Sequence, residues 1–163
     1  ILGLPYPGGP LIDKYAKLGN PKAFPFTKPK VDGLNFSFSG LKTQILYFIQ
    51  KKVAENENFI AENLNDICAS IQYTIIEILM DKLKLAVAET GINQITIGGG
   101  VSANSGIRNT LKEAESKYGW KTYIPKFEYT TDNAAMIGIV GYYNFLEENF
   151  STSDVVSKAR IEF

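Results

Sequence analysis

The sequence predicts an α/β fold that is rich in helix and is built around a parallel βαβα core. Two short β-branched runs, Gln94–Ile97 and Lys121–Ile124, are each followed by a helical pattern, and this order requires parallel strands joined by crossovers. A longer helical pattern, Asn63–Thr90, precedes them. Because two strands are too few for a parallel sheet covered on both faces, we expect further strands upstream of Ile1.

Composition restricts the class of protein. The 163 residues are 45% hydrophobic and 21% charged, which is typical of a globular domain. No apolar run approaches the roughly 20 residues of a membrane span, and no secretory signal is visible, so we expect a cytoplasmic protein without a membrane partner. The absence of histidine excludes a histidine base, a Ser-His-Asp triad and histidine-ligated metals within the chain. The start at Ile1, without methionine, suggests a piece of a longer protein.

The first thirty residues are rich in proline, glycine and lysine. Tyr6–Pro10 is a turn sequence, and we expect a short helix after Pro10 that ends at a Gly19 C-cap. Asn20–Lys30 contains three prolines, which predicts an extended loop.

The next segments predict a strand and two helices. Asn35–Phe38 alternates polar and aromatic residues, as a short strand does, and Ser39 is the expected N-cap of a helix over Gly40–Ala54.

The helix predicted over Asn63–Thr90 has apolar residues at i, i+3, i+4 spacing, with Asn63 as its cap and Gly91 as its stop. Cys68 lies in this apolar pattern and is the chain's one cysteine, so we expect a buried thiol and no disulfide within the chain.

A glycine-rich turn follows the first predicted strand. Gly98–Gly100 let the backbone adopt positive φ and let a ligand approach the main chain, and the helix predicted over Asn104–Tyr118 offers unpaired N–H groups. These features are typical of a nucleotide site. A tight turn capped by Ser102 or Asn104 explains the pattern equally well, since glycine-rich turns are a weak signal.

The second predicted strand leads into Tyr129–Asn133, which opens a last helix that ends near Glu148. Asp132 lies at this helix N-terminus, where the dipole favours an ionised carboxylate that can bind a cation. A plain N-cap is the simpler interpretation. Because both turns follow the carboxyl ends of parallel strands, we expect Asn104 and Asp132 to face one pocket.

Two further motifs carry candidate polar groups. In Tyr6–Asp13, two glycines, including Gly9, expose backbone to a ligand, and Asp13 offers a carboxylate to ribose hydroxyls, although a turn leading into a helix accounts for the same residues. In Leu34–Thr43, hydroxyl groups and Lys42 either line a polar pocket or cap a helix.

Charges are segregated along the chain although the formal net charge is zero. Lys14 to Lys52 contains eight lysines against the single acid Asp32, whereas Val53–Thr90 contains seven acids against two lysines. Such asymmetry can mark a surface for a polyanion, although a solvated lysine-rich face is the simpler interpretation.

Four motifs together resemble, in order and spacing, the C-terminal half of the tRNA N6-adenosine threonylcarbamoyltransferases (TsaD), formerly labelled O-sialoglycoprotein endopeptidase or glycoprotease. They are YPGGPLID at 6–13, LNFSFSGLKT at 34–43, GGGVSANSGIR at 98–108 and YTTDNAAMI at 129–137. The resemblance implies an actin-like ATPase (ASKHA) fold of two RNase H-like lobes, of which this chain forms part of one. It also implies that 1–60 is a loop and helical insertion and that 61–163 supplies a helix and the βαβα half of the nucleotide site.

The family transfers the threonylcarbamoyl group from threonylcarbamoyl-adenylate to N6 of adenosine 37 in tRNAs that read codons beginning with A. Matched motif by motif, the resemblance implies that Gly9, Asp13 and Asn104 bind the adenylate and that Asp132 binds a divalent metal ion, iron or zinc. No residue here matches a catalytic base. The family's other metal ligands are two histidines of its N-terminal half, so we expect this chain alone to be inactive and to lack the metal.

The resemblance also implies partners: tRNA, threonylcarbamoyl-adenylate, and companion proteins of the TsaB and TsaE type. Exposed sheet edges and apolar helix faces would favour self-association of the isolated chain. Two alternatives stay open from the sequence. One is a lobe of an actin-like small-molecule kinase, and the other is a non-enzymatic half-protein that serves as a scaffold for a partner.

Overall fold

The computed structural model describes residues 1–157, which divide into two compact units, Ile1–Thr130 and a second unit that begins at Thr131. Residues 158–163, the end of the predicted segment 61–163, lie outside the described residues. The elements of the first unit are α1 (Gly8–Ala16), α2 (Ser39–Glu55), α3 (Phe59–Thr90), β1 (Gln94–Thr96), α4 (Ser105–Tyr118) and β2 (Lys121–Tyr123). The second unit contains α5 (Ala134–Leu146).

The strands β1 and β2 pair in parallel, with Ile95 opposite Thr122, and α4 connects them. This confirms the predicted parallel strands and the helix-rich α/β class. Over residues 1–157 the sheet has these two strands alone. The actin-like lobe implied by the resemblance stays a prediction.

The helix α3 is central to the first unit because it contributes side chains to two separate cores. Its N-terminal part, from Phe59 to Ile78, packs against α2 and the loop before it, in a core built from Leu41, Ile45, Ile49, Ile67, Ile71 and Ile78. Its C-terminal half packs against β1, α4 and the start of β2, in a core built from Met80, Ile95, Ile107, Leu111, Ala114 and Trp120. The apolar spacing predicted for this helix is therefore its packing pattern.

Cys68 lies inside α3 and has no exposed surface. Burial raises the pKa of the thiol to about 11, because the charged thiolate would lose its hydration. The predicted buried thiol is confirmed, and it is un-ionised at neutral pH.

The segment Asn35–Phe38 is not a strand, so that prediction is wrong. A strand requires a neighbour to accept its hydrogen bonds, and the part of the chain described here places none beside it. Instead the rings of Phe36 and Phe38 stack with their centroids 6.2 Å apart. The predicted Ser39 cap is also wrong, because Phe38 occupies the N-cap position of α2 and Ser39 is its first helical residue.

The helix α1 begins at Gly8 instead of after Pro10, so Pro10 lies in its first turn. Proline is tolerated there because the N–H groups of the first turn have no acceptor within the helix. The predicted Gly19 C-cap is wrong, since α1 ends at Ala16. Gly19 serves a different purpose: a Cβ at this position would lie 2.1 Å from the carbonyl oxygen of Asn65 on α3. The glycine allows the loop backbone to contact α3 directly.

The helix α3 begins at Phe59, one turn before the predicted start. Asn63 is therefore not its cap, and its side-chain amide donates to the Phe59 carbonyl at 2.9 Å. The stop at Gly91 is confirmed: this glycine adopts φ 70° and its N–H donates to Val87. A left-handed glycine is the commonest way to end a helix.

The helix α5 contains no charged residue, and none of its side chains is buried. Among residues 1–157, every helix is too short or too polar to cross a membrane.

Candidate functional site

The turn after β1 forms the start of the site. Gly99 has φ 73°, a 3-10 helix spans Gly100–Ala103, and Asn104 then caps α4 by accepting a hydrogen bond from the Ile107 N–H at 3.0 Å. Ser102 is buried and donates to the Gly99 carbonyl at 2.7 Å. Of the two predicted caps, Asn104 is the one that the structure uses for α4.

The side chain of Asn104 is held at both ends. Its Oδ1 accepts from Ile107, and its Nδ2 donates to Oε1 of Gln72 on α3 at 2.7 Å. Because both amide atoms have partners, the orientation of the amide is determined by this network.

Asp13 contacts the same helix N-terminus from α1. Its carboxylate accepts from the Ser105 N–H at 3.2 Å and from the Ser105 hydroxyl at 2.8 Å, across 92 residues of sequence. Partial burial raises the pKa of Asp13, but the two hydrogen bonds from Ser105, the Lys17 ammonium at 3.7 Å and a hydrogen bond from Gln72 outweigh it and hold the pKa below its usual value. The carboxylate is therefore ionised at neutral pH.

Gly9 lies one helical turn before Asp13, so the two residues share a face of α1. Gly9 is exposed, and no atom lies within 4 Å of the place where its Cβ would be. The structure thus brings two of the predicted adenylate residues, Asp13 and Asn104, to the N-terminus of α4, with Gly9 one turn before Asp13 on the same face of α1. We name Asp13, Gln72, Asn104 and Ser105 the cap cluster.

Arg108 joins the loops that follow the two strands. One guanidinium nitrogen donates to the Ser102 carbonyl at 2.8 Å and the other to the Pro125 carbonyl at 2.6 Å. Charge-assisted hydrogen bonds of this kind are stronger than neutral ones. The two strand ends are therefore fixed to each other at one edge of the sheet.

Asp132 belongs to the second unit and is exposed. The cap of α5 is its neighbour Asn133, which accepts from the Met136 N–H at 3.2 Å, so the simple interpretation of Asp132 as the N-cap is wrong. No three His, Cys, Asp or Glu side chains within residues 1–157 are close enough to hold a metal ion. Since such sites use about three protein ligands, the described residues do not fit a metal centre by themselves. The shared pocket of Asn104 and Asp132 stays a prediction.

The motif Leu34–Thr43 borders an apolar cavity, and its polar groups do not line it. Phe36 covers a cavity of about 140 Å³ whose other walls are side chains of α3, α4 and the end of β1. Lys42 is exposed, and the Thr43 hydroxyl donates to the Ser39 carbonyl within α2. The alternative of a polar pocket stays a prediction for this motif.

Part of the predicted lysine excess is neutralised within the first unit. Lys28 pairs with Asp81 and, at 3.8 Å, with Glu77, both on α3. The hydrogen bond to Asp81 raises the pKa of Lys28 despite partial burial. Lys82 donates to the carbonyl of Val31 at 2.6 Å, so charges on α3 hold the loop before α2.

Sequence reasoning missed three residues of the site: Gln72, Ser105 and Arg108. Gln72 is one of several polar residues within the apolar pattern of α3, and the sequence does not distinguish it from the others. Ser105 and Arg108 lie inside the motif at 98–108, but the motif does not show their partners, which lie far away in sequence or are backbone carbonyls.

The parallel βαβ unit and the cap cluster place the chain among α/β proteins that gather polar groups beyond the carboxyl ends of their strands. The model of the family described as TsaD, tRNA N6-adenosine threonylcarbamoyltransferase, matches residues 1–139. The chain therefore belongs to that family.

Curated relatives support the same assignment. A tRNA N6-adenosine threonylcarbamoyltransferase of Christiangramia forsetii is 67% identical over 163 residues, which is 100% of this chain and 48% of the relative. The protein of the same name from Cytophaga hutchinsonii is 53% identical over 99% of the chain, and that from Geotalea daltonii is 42% identical over 88%. The chain spans about half the length of the curated relatives it matches.

Proposed function

We propose that the chain forms the C-terminal half of a tRNA N6-adenosine threonylcarbamoyltransferase. The complete enzyme would transfer the threonylcarbamoyl group from threonylcarbamoyl-adenylate to N6 of adenosine 37 in tRNAs that read ANN codons. The observation that carries the proposal is the meeting of two family motifs, 92 residues apart, where Asp13 contacts Ser105 beside Asn104. The family assignment favours this acyltransferase over a small-molecule kinase.

Asp13, Asn104 and Gly9 would bind the adenylate. An ionised carboxylate has about four acceptor positions, so Asp13 can keep its bonds to Ser105 and still accept from ribose hydroxyls. The open space beside Gly9 lets a ligand approach the backbone of α1. These residues would orient the donor, and orientation alone can supply much of the rate of an acyl transfer.

In the proposed reaction, N6 of the adenosine forms a bond to the carbamoyl carbon, the bond from that carbon to the phosphate oxygen breaks, and AMP leaves with the bonding electrons. The amine gives up one proton in this exchange. We assign no base to this chain.

Asp132 would supply one ligand of a divalent metal ion, iron or zinc, whose other ligands lie outside residues 1–157. We further propose the cytoplasm as the compartment, and companion proteins of the TsaB and TsaE type as partners of the complete enzyme. The division into an insertion over 1–60 and a nucleotide-site half from 61 is part of the same proposal.

The test is tRNA modification by the full-length protein in a reconstituted system with threonylcarbamoyl-adenylate, tRNA and the companion proteins. We expect transfer by the full-length protein, a large loss with Asn104→Ala, and no transfer by the chain alone. A full-length protein that forms a stable complex but never modifies tRNA would support the scaffold alternative instead.

Isothermal titration with the adenylate tests the contribution of the missing half. We expect weak or undetectable binding by the isolated chain and measurable binding by the full-length protein. Comparable affinities would contradict a site shared between two halves.

The lysine-rich segment is the proposed contact for tRNA phosphates. Replacing Lys22 and Lys30 by glutamine in the full-length protein should weaken tRNA binding. The slope of the logarithm of the binding constant against the logarithm of the salt concentration should become shallower by about one for each lost phosphate contact. Lys28→Gln should have a smaller effect, because Asp81 already neutralises this charge. Lys112→Gln on the exposed side of α4 is the matched control, and equal losses in the control would reject this surface.

A further inference from the structure

We propose that Gln72 is a positioning residue of the adenylate site, which fixes the side-chain amide of Asn104. This inference rests on the proposed function, because it assigns Gln72 a role toward the same substrate.

The first support is the geometry of the Asn104 amide. As a helix cap, Asn104 needs only its oxygen, which accepts from the Ile107 N–H at 3.0 Å. Its Nδ2 is engaged separately by Oε1 of Gln72 at 2.7 Å, from a helix 32 residues earlier in the chain. Without Gln72 this nitrogen would lose its protein partner, and the face that Asn104 presents to a ligand would no longer be fixed.

The second support is the proximity of Gln72 to Asp13. Partial burial raises the pKa of the Asp13 carboxyl, and Ser105, Lys17 and the nearby Gln72 amide lower it. Gln72 therefore holds Asn104 from a position close to the other predicted adenylate residue of this cluster.

The third support is the space that the chain keeps for this amide. A Cβ at Gly106, in the first turn of α4, would lie 2.8 Å from Nε2 of Gln72 and 2.8 Å from Cδ1 of Ile76. An alanine at this position would force the ends of the Gln72 and Ile76 side chains to move, so Gly106 leaves room for Gln72 to reach Asn104.

The test uses the full-length protein with the variant Gln72→Met, which keeps the length of the side chain and removes both hydrogen-bonding groups. We expect the KM for threonylcarbamoyl-adenylate to rise about tenfold, the factor that corresponds to one net hydrogen bond. The KM for tRNA should stay the same and kcat should change less than about twofold.

The matched control is Gln44→Met. Gln44 is also half-buried and also accepts one hydrogen bond, from the Thr27 N–H at 2.7 Å, but it belongs to α2 and lies outside the cap cluster. Both variants should lower Tm by a similar amount, and only Gln72→Met should raise the KM for the adenylate. Equal KM values in the two variants would overturn the inference.

A double-mutant cycle tests whether Gln72 acts through Asn104. The double variant Gln72→Met with Asn104→Ala should bind the adenylate no more weakly than Asn104→Ala alone. The reason is that Asn104→Ala already removes the side-chain amide that Gln72 orients. Additive losses would overturn the inference.

Two further outcomes keep the test decisive. If Gln72→Met does not fold, Gly106→Ala replaces it: the new Cβ displaces Gln72 and should raise the same KM, and an unchanged KM would reject the inference. If the unsubstituted full-length protein neither binds the adenylate nor modifies tRNA, the proposed function itself has failed.

Discussion

Asn104 and Asn133 are helix caps of the same chemistry in the two units of the chain. Each follows a loop and accepts a hydrogen bond from the N–H three residues on, at 3.0 Å and 3.2 Å respectively. Asn104 also donates to Gln72 on another helix, whereas Asn133 donates to the Thr131 carbonyl two residues away. The same capping residue therefore fixes a contact between distant segments in one unit and closes a local turn in the other.

The helices that follow differ in the same way. The helix α4 buries Ile107, Leu111 and Ala114 in a core, and Arg108 ties its first turn to both strand ends. The helix α5 buries no side chain. Capping residues therefore show where a helix begins. Hydrogen bonds to residues distant in sequence decide whether the first turn of that helix is fixed in place as part of a site.

The largest effect on the free energy of unfolding should come from the core in which α4 is packed. Leu111 is 1% exposed, so Leu111→Ala should lower the free energy of unfolding by about 3 kcal/mol through lost burial and a residual cavity. Ile139→Ala on α5, at a site that is 51% exposed, should cost less than about 1 kcal/mol. Denaturant titration of both variants measures the difference, and similar costs would contradict the contrast between the two helices.

The tie made by Arg108 should rank second. Arg108→Met removes two charge-assisted hydrogen bonds to backbone carbonyls and should cost about 2–3 kcal/mol. Lys112→Met, one turn along α4 and exposed, is the control and should stay within about 0.5 kcal/mol. A loss no larger than that of the control would mean that the strand ends are held by packing alone.

The two caps can be compared directly. Asn133→Ala should cost about 1 kcal/mol, the usual value for a lost N-cap, whereas Asn104→Ala should cost about 2 kcal/mol because it also leaves Gln72 without its partner. Thermal or denaturant unfolding gives both values. Equal costs would show that the Gln72 bond adds no stability.

The smallest effect should be the pH dependence that Asp13 contributes. Its pKa in the folded protein lies below the ordinary 3.8, so the carboxylate stabilises the fold fully above that pH, and the contribution is lost as the pH falls through the lower, folded value. The stability difference between the unsubstituted chain and Asp13→Asn should therefore shrink on acidification below pH 3.8. Asp32→Asn, in an exposed part of the loop, is the control, and the same trend there would reject the assignment to Asp13.

Sequence patterns predicted those parts of the fold that depend on near neighbours. The spacing in α3, the β-branched strands and the stop at Gly91 were all confirmed, because each is decided by residues within one or two turns. The strand at Asn35–Phe38 was wrong because strand formation needs a partner that local alternation cannot reveal. Gly19 was misassigned for the same reason, since its contact with Asn65 is tertiary.

The candidate site divides similarly. Motifs selected Asp13 and Asn104 separately, and the spacing of strands led us to pair Asn104 with Asp132. The structure joins the Asn104 cap to Asp13 through the neighbouring Ser105, and the pairing of Asn104 with Asp132 stays a prediction. The meeting of Asp13 and Ser105 depends on α1 packing against α3, and no spacing along the chain encodes it.

The two cores on either half of α3 have a consequence for how the first unit opens. This helix is a rod of 32 residues, about 48 Å long, and each core loses one wall if the rod melts anywhere along its middle. Melting of this middle part would therefore disrupt both cores together, and we expect its amide protons to exchange with solvent more slowly than those at the two ends of the helix.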